Sequence, residues 1–160
     1  MRLRTTTTDQ TVDLVVTWRI GRQLYGMPVG DVLEVVRVPA MLTLAGAPPH
    51  VCGLLNRRGE YIPVLDGRVL LEEPPRYDLA SQVVLIGNPL AVTPLQPYLG
   101  LLVDQVCDVQ MVASRRMVAL NREAARPILR GVIDGDESIL LLDTAALIAL
   151  APALDKAREG

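Results

Sequence analysis

The sequence predicts a mainly β fold made of many short strands. In residues 13–20 the apolar side chains alternate with polar ones, which is the period-two pattern of a half-buried strand: Leu14, Val16, Trp18 and Ile20. Glycine, proline, asparagine and aspartate recur between later apolar runs, at the close intervals that turns require. These two patterns favour barrels over parallel α/β layers.

The first third of the chain has the pattern of a small meander of strands. A turn at residues 21–23 separates the opening strand from a second strand over residues 24–27. Pro28 and Gly30 interrupt that strand, and a third apolar run covers residues 32–38.

A hairpin with two arginines at its turn comes next. Apolar runs flank the turn, and the chain reverses near Arg58-Gly59. Arginine keeps its proton at ordinary pH and is a poor general base, but its planar fork suits a carboxylate on another molecule. The hairpin therefore indicates docking and not catalysis.

The composition changes between Glu72 and Ser81, where charged residues and prolines favour an exposed connector. We place the joint between two halves of the domain near residues 72–81. Beyond it, residues 87–97 are predicted to form a proline-rich loop that cannot lie in a central strand. Strands are predicted over residues 82–86, 98–103 and 106–111.

A last hairpin and a short helix are predicted to close the fold. Residues 128–133 and 138–142 flank Asp134-Gly135-Asp136, whose residue types tolerate positive φ. Asp143 is a candidate N-cap for a helix over residues 144–150, which Pro152 stops.

The chain organisation is that of one domain with short flexible ends. A chain of 160 residues, half of them hydrophobic, can bury a core of ordinary size. The domain is predicted over residues 13–150, with flexible ends at residues 1–12 and 151–160.

Charge and hydropathy exclude several functional classes. The formal net charge of −2 argues against a sequence-independent grip on nucleic acid. The N-terminal residues lack the apolar core of a secretory signal, and no apolar run reaches the roughly 20 residues of a membrane span. We therefore expect a cytoplasmic protein without direct membrane insertion.

Catalytic and metal sites are weakly indicated. His50, the only histidine, lies two residues before Cys52, so a thiol enzyme is an open alternative. We expect Cys52 and Cys107 to be buried reduced thiols. The acidic residues 134–137 lack the length of a calcium loop, and no metal or cofactor is expected.

The stretch after Ala113 is basic and leaves a small β-barrel nucleic-acid binder as an alternative. No aromatic side chain interleaves its arginines, so the stacking platform of a single-strand binder is missing. A solvated face is favoured, and a contact surface for an acidic protein helix comes second. The arginines concerned are Arg115, Arg116, Arg122, Arg126 and Arg130.

Taken in order, these segments resemble the CheW family of chemotaxis coupling proteins. The specific part is Asn56-Arg57-Arg58-Gly59 followed by Pro63-Val64-Leu65-Asp66, an Asn-x-Arg-Gly and Pro-Val-x-Asp pattern. Weaker parts are residues 32–35, 103–109 and 135–143, and the likeness covers residues 13–150.

The resemblance implies two five-stranded SH3-like barrels with short helices, packed around a shared hydrophobic seam, without an active site. It implies a scaffold that couples the cytoplasmic tip of a chemoreceptor to the regulatory domain of a CheA-type histidine kinase, in arrays at the inner membrane. A coupling protein of a pilus or gliding pathway is the alternative within the family. The receptor-binding residues implied are Val32, Val35, Gly53, Asn56, Arg58 and Gly59.

This chain departs from the family pattern at Arg57, where an apolar residue is common. The departure predicts an additional positive charge at the rim of the receptor groove.

Overall fold

The computed structural model describes residues 12–74, 76, 78–87, 97–120 and 127–152. Residues 1–11 and 153–160 of the predicted flexible ends, residues 88–96 of the predicted proline-rich loop, and Arg122 and Arg126 of the basic stretch lie outside the described residues. Twelve strands occur in the described part, in chain order β1 Val12–Ile20, β2 Gln23–Pro28, β3 Val32–Arg37, β4 Met41–Leu42, β5 Val51–Arg57, β6 Glu60–Asp66, β7 Gln82–Gly87, β8 Pro97–Val103, β9 Gln105–Ala113, β10 Met117–Ala119, β11 Leu129–Ile133 and β12 Ile139–Leu142.

The strands form two six-stranded sheets. The first has the order β10-β11-β12-β2-β1-β9 and the second the order β3-β7-β8-β6-β5-β4. The edge strands of each sheet are joined by only three residues, Ser114–Arg116 in the first and residues 38–40 in the second. Three linking residues span at most about 15 Å, whereas the edges of a flat six-stranded sheet lie about 24 Å apart. Each sheet must therefore curl, and we call them the first and second barrel.

The mainly β fold is confirmed, with two differences in detail. Each barrel has six strands in the described residues and not five, because the short β10 adds a strand at one edge of the first sheet and the short β4 at one edge of the second. Pro97, assigned to a loop, is the first residue of β8, a position where a strand tolerates a proline.

The joint between the two barrels was predicted near residues 72–81, but it does not lie there. The strands on both sides of that stretch, β6 and β7, belong to the second barrel, which is inserted between β2 and β9 of the first. The chain crosses between barrels at Val29–Asp31 and at Asp104. The prolines and glutamates identify an exposed connector, but composition does not reveal which sheets a connector joins.

Three apolar cores hold the barrels together, one inside each barrel and one between them. Val15 and Ile133 belong to the core of the first barrel, and Leu55 and Leu85 to that of the second. The third, which we call the seam core, combines side chains from both barrels: Val16, Trp18, Ile20, Tyr25, Met27, Leu65, Val84, Ile86, Leu99, Leu101, Val103, Ile128, Leu142 and Leu147.

Strand β7 shows how one strand serves two cores. Val83 and Leu85 point into the second barrel, whereas Val84 and Ile86 point into the seam core. Since side chains alternate along a strand, a continuous apolar run of this kind is buried on both faces.

Two short helices are capped by aspartates. In α1, Gly67–Leu70, Asp66 accepts hydrogen bonds from the backbone N–H groups of Arg68 and Val69. In α2, Thr144–Leu150, the predicted cap Asp143 accepts one from Ala146 and is confirmed. At four and seven residues, neither helix of the described part is long enough to cross a membrane.

The closing hairpin of β11 and β12 is also confirmed, but the reason given for its turn was wrong. In the described residues, positive φ occurs elsewhere and not within residues 134–136. This turn therefore does not depend on a left-handed conformation.

Candidate functional site

The β5–β6 hairpin ends in a two-residue turn with left-handed backbone at both central positions. Arg57 and Glu60 are the last paired residues, and φ is 53° at Arg58 and 85° at Gly59. Positive φ at both positions defines a type I′ turn, whose twist matches that of the flanking strands. The Asn56 Oδ1 atom accepts a hydrogen bond of 2.9 Å from the Gly59 backbone N–H. Asn56 therefore shapes the turn that presents Arg58.

Arg58 occupies this turn at a cost in backbone energy. Asparagine and glycine are the residues that favour the first position of a type I′ turn, whereas a long side chain in the left-handed region costs about 1 kcal/mol. The Arg58 side chain is exposed and forms no ion pair or hydrogen bond with the other described residues. A strained, exposed and unpaired guanidinium points to a role in contact with another molecule.

The neighbouring Arg57 is paired within the chain. Its Nη2 and Nε atoms lie 2.6 Å and 3.0 Å from the Oε2 atom of Glu34 on β3. The pair joins strands from opposite ends of the sheet order, which the curl of the second barrel brings close together. The expected additional charge at the rim is thus neutralised in the structure, which leaves Arg58 as the uncompensated cation of this hairpin turn.

An aliphatic face of β3 lies next to this hairpin. The register with β7 shifts between Val32 and Glu34, so a bulge places two residues three apart on the same side of the strand. Val32 pairs with Ile86 and Val35 with Val84, and both partners belong to the seam core. Val32 and Val35 are half-buried. The structure therefore brings them together on the side of the second barrel that faces the seam.

The first barrel also presents apolar side chains beside the seam core, on β1 and β9. Leu14 precedes Val16 on the seam-facing side of β1 and pairs with Met111, which is 75% exposed. Val109, opposite Val16, is 53% exposed. β2 ends beside the start of β1, with Pro28 paired to Val15, and the chain then enters β3.

Leu14 and the start of β3 therefore lie at the same end of the seam. We call this set the candidate groove: Leu14, Val32, Val35, Val109 and Met111. Leu14, Val109 and Met111 were not predicted to bind a partner, although the apolar alternation of their strands is visible in the sequence.

A family model described as a CheW-like domain matches residues 14–151, most of the 160 residues of the chain. The chain belongs to the CheW-like domain family. The predicted resemblance is confirmed.

Individual relatives agree with this CheW-like assignment. The chain is 30% identical over 146 residues to Protein PilI of Pseudomonas aeruginosa, covering 88% of this chain and 78% of that protein. It is 30% identical over 101 residues to Chemotaxis protein CheW of Treponema pallidum, covering 62% of this chain and 58% of that protein.

A solved structure supports the fold. The crystal structure of scaffolding protein TtCheW from Thermoanaerobacter tengcongensis matches with a TM-score of 0.69 and 22% sequence identity, covering 82% of this chain and 88% of that chain. At this identity the match supports the CheW-like fold alone.

A partly buried ion pair links the two barrels of the CheW-like domain at the second crossing. The Nε atom of Arg68, at the start of α1, donates a hydrogen bond of 2.7 Å to Asp104 Oδ1, and its Nη2 atom lies 2.5 Å from Oδ2. The same Oδ2 atom accepts the Gly21 backbone N–H at 2.8 Å, from the β1–β2 turn of the first barrel. The hydrogen bond to Asp104 raises the pKa of Arg68. One carboxylate therefore connects both barrels, and the sequence analysis missed it.

In this CheW-like chain, Gly53 allows two strands of the second barrel to pack closely. Its φ is 154°, and a Cβ atom at this position would lie 2.4 Å from the backbone oxygen of Leu42 on β4. Only glycine allows β4 to approach β5 so closely. Gly59, in contrast, has open space around it and is required for its φ.

We expect Gly53→Ala to lower the free energy of unfolding by at least about 2 kcal/mol, because β4 must move away from β5. Urea denaturation measures this loss. Gly135→Ala is the matched control: Gly135 has ordinary φ, and its Cβ would come no closer than 3.8 Å to another atom. A Gly53→Ala protein as stable as the control would contradict the close approach of β4.

His50, the candidate base of the thiol-enzyme alternative, forms a hydrogen bond within the chain. The His50 Nε2 atom lies 3.1 Å from the carbonyl oxygen of Leu150, which can only accept, so Nε2 carries the proton and donates. Cys52 and Cys107 form no disulfide bond with each other. Cys52 is half-buried and Cys107 is exposed, which corrects the expectation that both are buried. Within the described residues, no group of three or more histidine, cysteine or acidic side chains is placed to hold a metal ion.

Acidic side chains lie beside Arg115 and Arg116 of the basic stretch. Arg115 and Arg116 line a cavity of about 610 Å³ at the end of the first barrel, together with Asp134, Asp136 and Glu137. Interleaved acidic side chains would repel phosphates, so this arrangement does not favour nucleic-acid binding.

Proposed function

We propose that this CheW-like protein is a non-catalytic scaffold that couples the cytoplasmic tip of a chemoreceptor to a CheA-type histidine kinase. One observation carries the proposal: the aliphatic face of β3 lies at the seam beside a hairpin whose exposed Arg58 is uncompensated. An amphipathic helix gains affinity by burying its apolar side in such a groove. An unpaired arginine at the rim selects a partner carboxylate and sets its register.

The membership of the family supports this partner class, and the printed description of TtCheW as a scaffolding protein is consistent with it. A pathway that controls pili is the second candidate, because the PilI relative covers 88% of this chain. Either pathway requires one contact with a receptor and one with a kinase. The identity of the receptor and the kinase that bind therefore distinguishes the two pathways.

The test is a binding experiment with a receptor tip and a kinase regulatory domain from the same genome. We expect size-exclusion chromatography with light scattering to reveal a ternary complex that depends on this protein. Val35→Arg should weaken tip binding at least about tenfold by calorimetry, because it places a charge in the candidate groove. Val118→Arg is the matched control, since Val118 is an exposed valine on β10, outside the groove. Failure of the wild-type protein to bind any tip would refute the proposal.

A further inference from the structure

Glu34 is the acidic residue at the edge of the candidate groove. It immediately precedes Val35 on β3, and its side chain is 41% exposed. An uncompensated carboxylate at this position would repel an acidic partner residue. It would also compete for a guanidinium at the neighbouring hairpin turn, since opposite charges a few ångströms apart attract.

Arg57 removes that competition. Two of its nitrogen atoms converge on one oxygen of Glu34, at 2.6 Å and 3.0 Å. Arg57 lies in the regular ladder of β5, paired with Glu60, whereas Arg58 lies in the turn with φ of 53°. Two adjacent arginines thus have different environments, one bound to the chain and one exposed.

The exposure of this ion pair argues against a role in stability. The side chains of Arg57 and Glu34 are 28% and 41% exposed, and pairs of this kind contribute little to folding. The pair instead changes the charge that the hairpin presents. Arg57 neutralises the charge of Glu34, and Arg58 remains as one positive charge that faces solvent.

We propose that Arg57 is a positioning residue, which occupies Glu34 so that the Arg58 guanidinium stays available to a partner carboxylate. The inference rests on the proposed function and deepens it: the partner is a helix with an acidic residue beside its apolar stripe. It also explains how a charged residue is accommodated at a position where the family commonly has an apolar one.

A double-mutant cycle tests the functional consequence. Arg57→Gln should weaken receptor-tip binding by roughly three- to fivefold, because the freed Glu34 competes for Arg58. Glu34→Gln alone should change affinity less than about twofold, and Glu34→Gln added to Arg57→Gln should restore it. If the double variant binds as weakly as Arg57→Gln, Arg57 contacts the partner directly and the inference is wrong.

A second measurement needs no partner. The exchange of the arginine Nε–H protons with water, followed by NMR, should be slow for Arg57 and fast for Arg58 in the wild-type protein. Arg57→Gln should slow the exchange of Arg58, and the added Glu34→Gln should make it fast again. If Arg57→Gln leaves the exchange rate of the Arg58 Nε–H unchanged, the inference is wrong, whether or not this variant binds the receptor tip more weakly. The expected exchange pattern in a protein that binds no tip would instead support the charge arrangement and refute the proposed function.

Discussion

Arg58→Asn is expected to stabilise the fold by about 1 kcal/mol while weakening receptor-tip binding about tenfold or more. The two effects have opposite signs because they come from different parts of the residue. Asparagine tolerates the φ of 53° at the first turn position, and Asn-Gly is a favoured type I′ pair, so the backbone relaxes. The guanidinium is lost at the same time, and with it the charge that would pair with a partner carboxylate.

Urea denaturation and calorimetry on the same preparation measure both effects. The chain supplies a matched control in its other two-residue hairpin turn, Gly21-Arg22, between the paired residues Ile20 and Gln23. Arg22 is exposed and has ordinary φ. Arg22→Asn should therefore change neither the free energy of unfolding nor the affinity. Unchanged tip binding by Arg58→Asn would remove Arg58 from the interface, and a loss of stability would contradict the left-handed turn.

The hairpin at the candidate site was predictable because its determinants are local. Asn56, Arg58 and Gly59 lie within four positions, and the reversal near Arg58-Gly59 follows from these residue types and the flanking apolar runs. The strain at Arg58 was not predictable, since φ depends on the register of β5 with β6, which places exactly two residues in the loop.

The arrangement of the two barrels was not predictable from local patterns. The strands were recognised one at a time, but β2 pairs with β12, more than one hundred residues away, so the second barrel is inserted into the first. The joint was therefore placed at the most evident connector, near residues 72–81, which lies inside one barrel. β10 was missed because its three residues carry little pattern before they pair with β11.

The groove was predicted only in part, for a related reason. Val32 and Val35 came from the family resemblance, and a bulge that no local pattern indicates places them on one face. Leu14 and Met111 belong to it through the pairing of β1 with β9, two strands that the inserted second barrel separates in the sequence.

The second large effect is expected at the ion pair between the barrels. Asp104→Ala should lower the free energy of unfolding by about 3 kcal/mol, because it leaves the Arg68 guanidinium without its carboxylate. Arg68 is 9% exposed, and among the described residues its guanidinium keeps one hydrogen bond, from Nη1 to the Pro74 carbonyl oxygen. The backbone N–H of Gly21 loses its acceptor in the same variant.

Trp18 reports on this transition directly. It is the only tryptophan of the chain and is fully buried in the seam core, so its fluorescence follows the separation of the barrels during urea denaturation. Glu137→Ala is the matched control, since it removes an ion pair with Arg19 in which both side chains are at least 40% exposed. The hydrogen bond from Arg19 lowers the pKa of the Glu137 carboxyl, yet removal of this exposed pair should leave the midpoint unchanged.

Asp104→Asn separates the charge of Asp104 from its hydrogen bonds. The amide oxygen can still accept the Gly21 N–H, so a loss smaller than that of Asp104→Ala is expected, with the remainder due to the uncompensated charge of Arg68. Equal losses in the two variants would assign the whole effect to the charge. If Asp104→Ala unfolds at the wild-type urea concentration, the apolar seam core alone aligns the barrels, and the groove between them would depend on packing and not on this carboxylate.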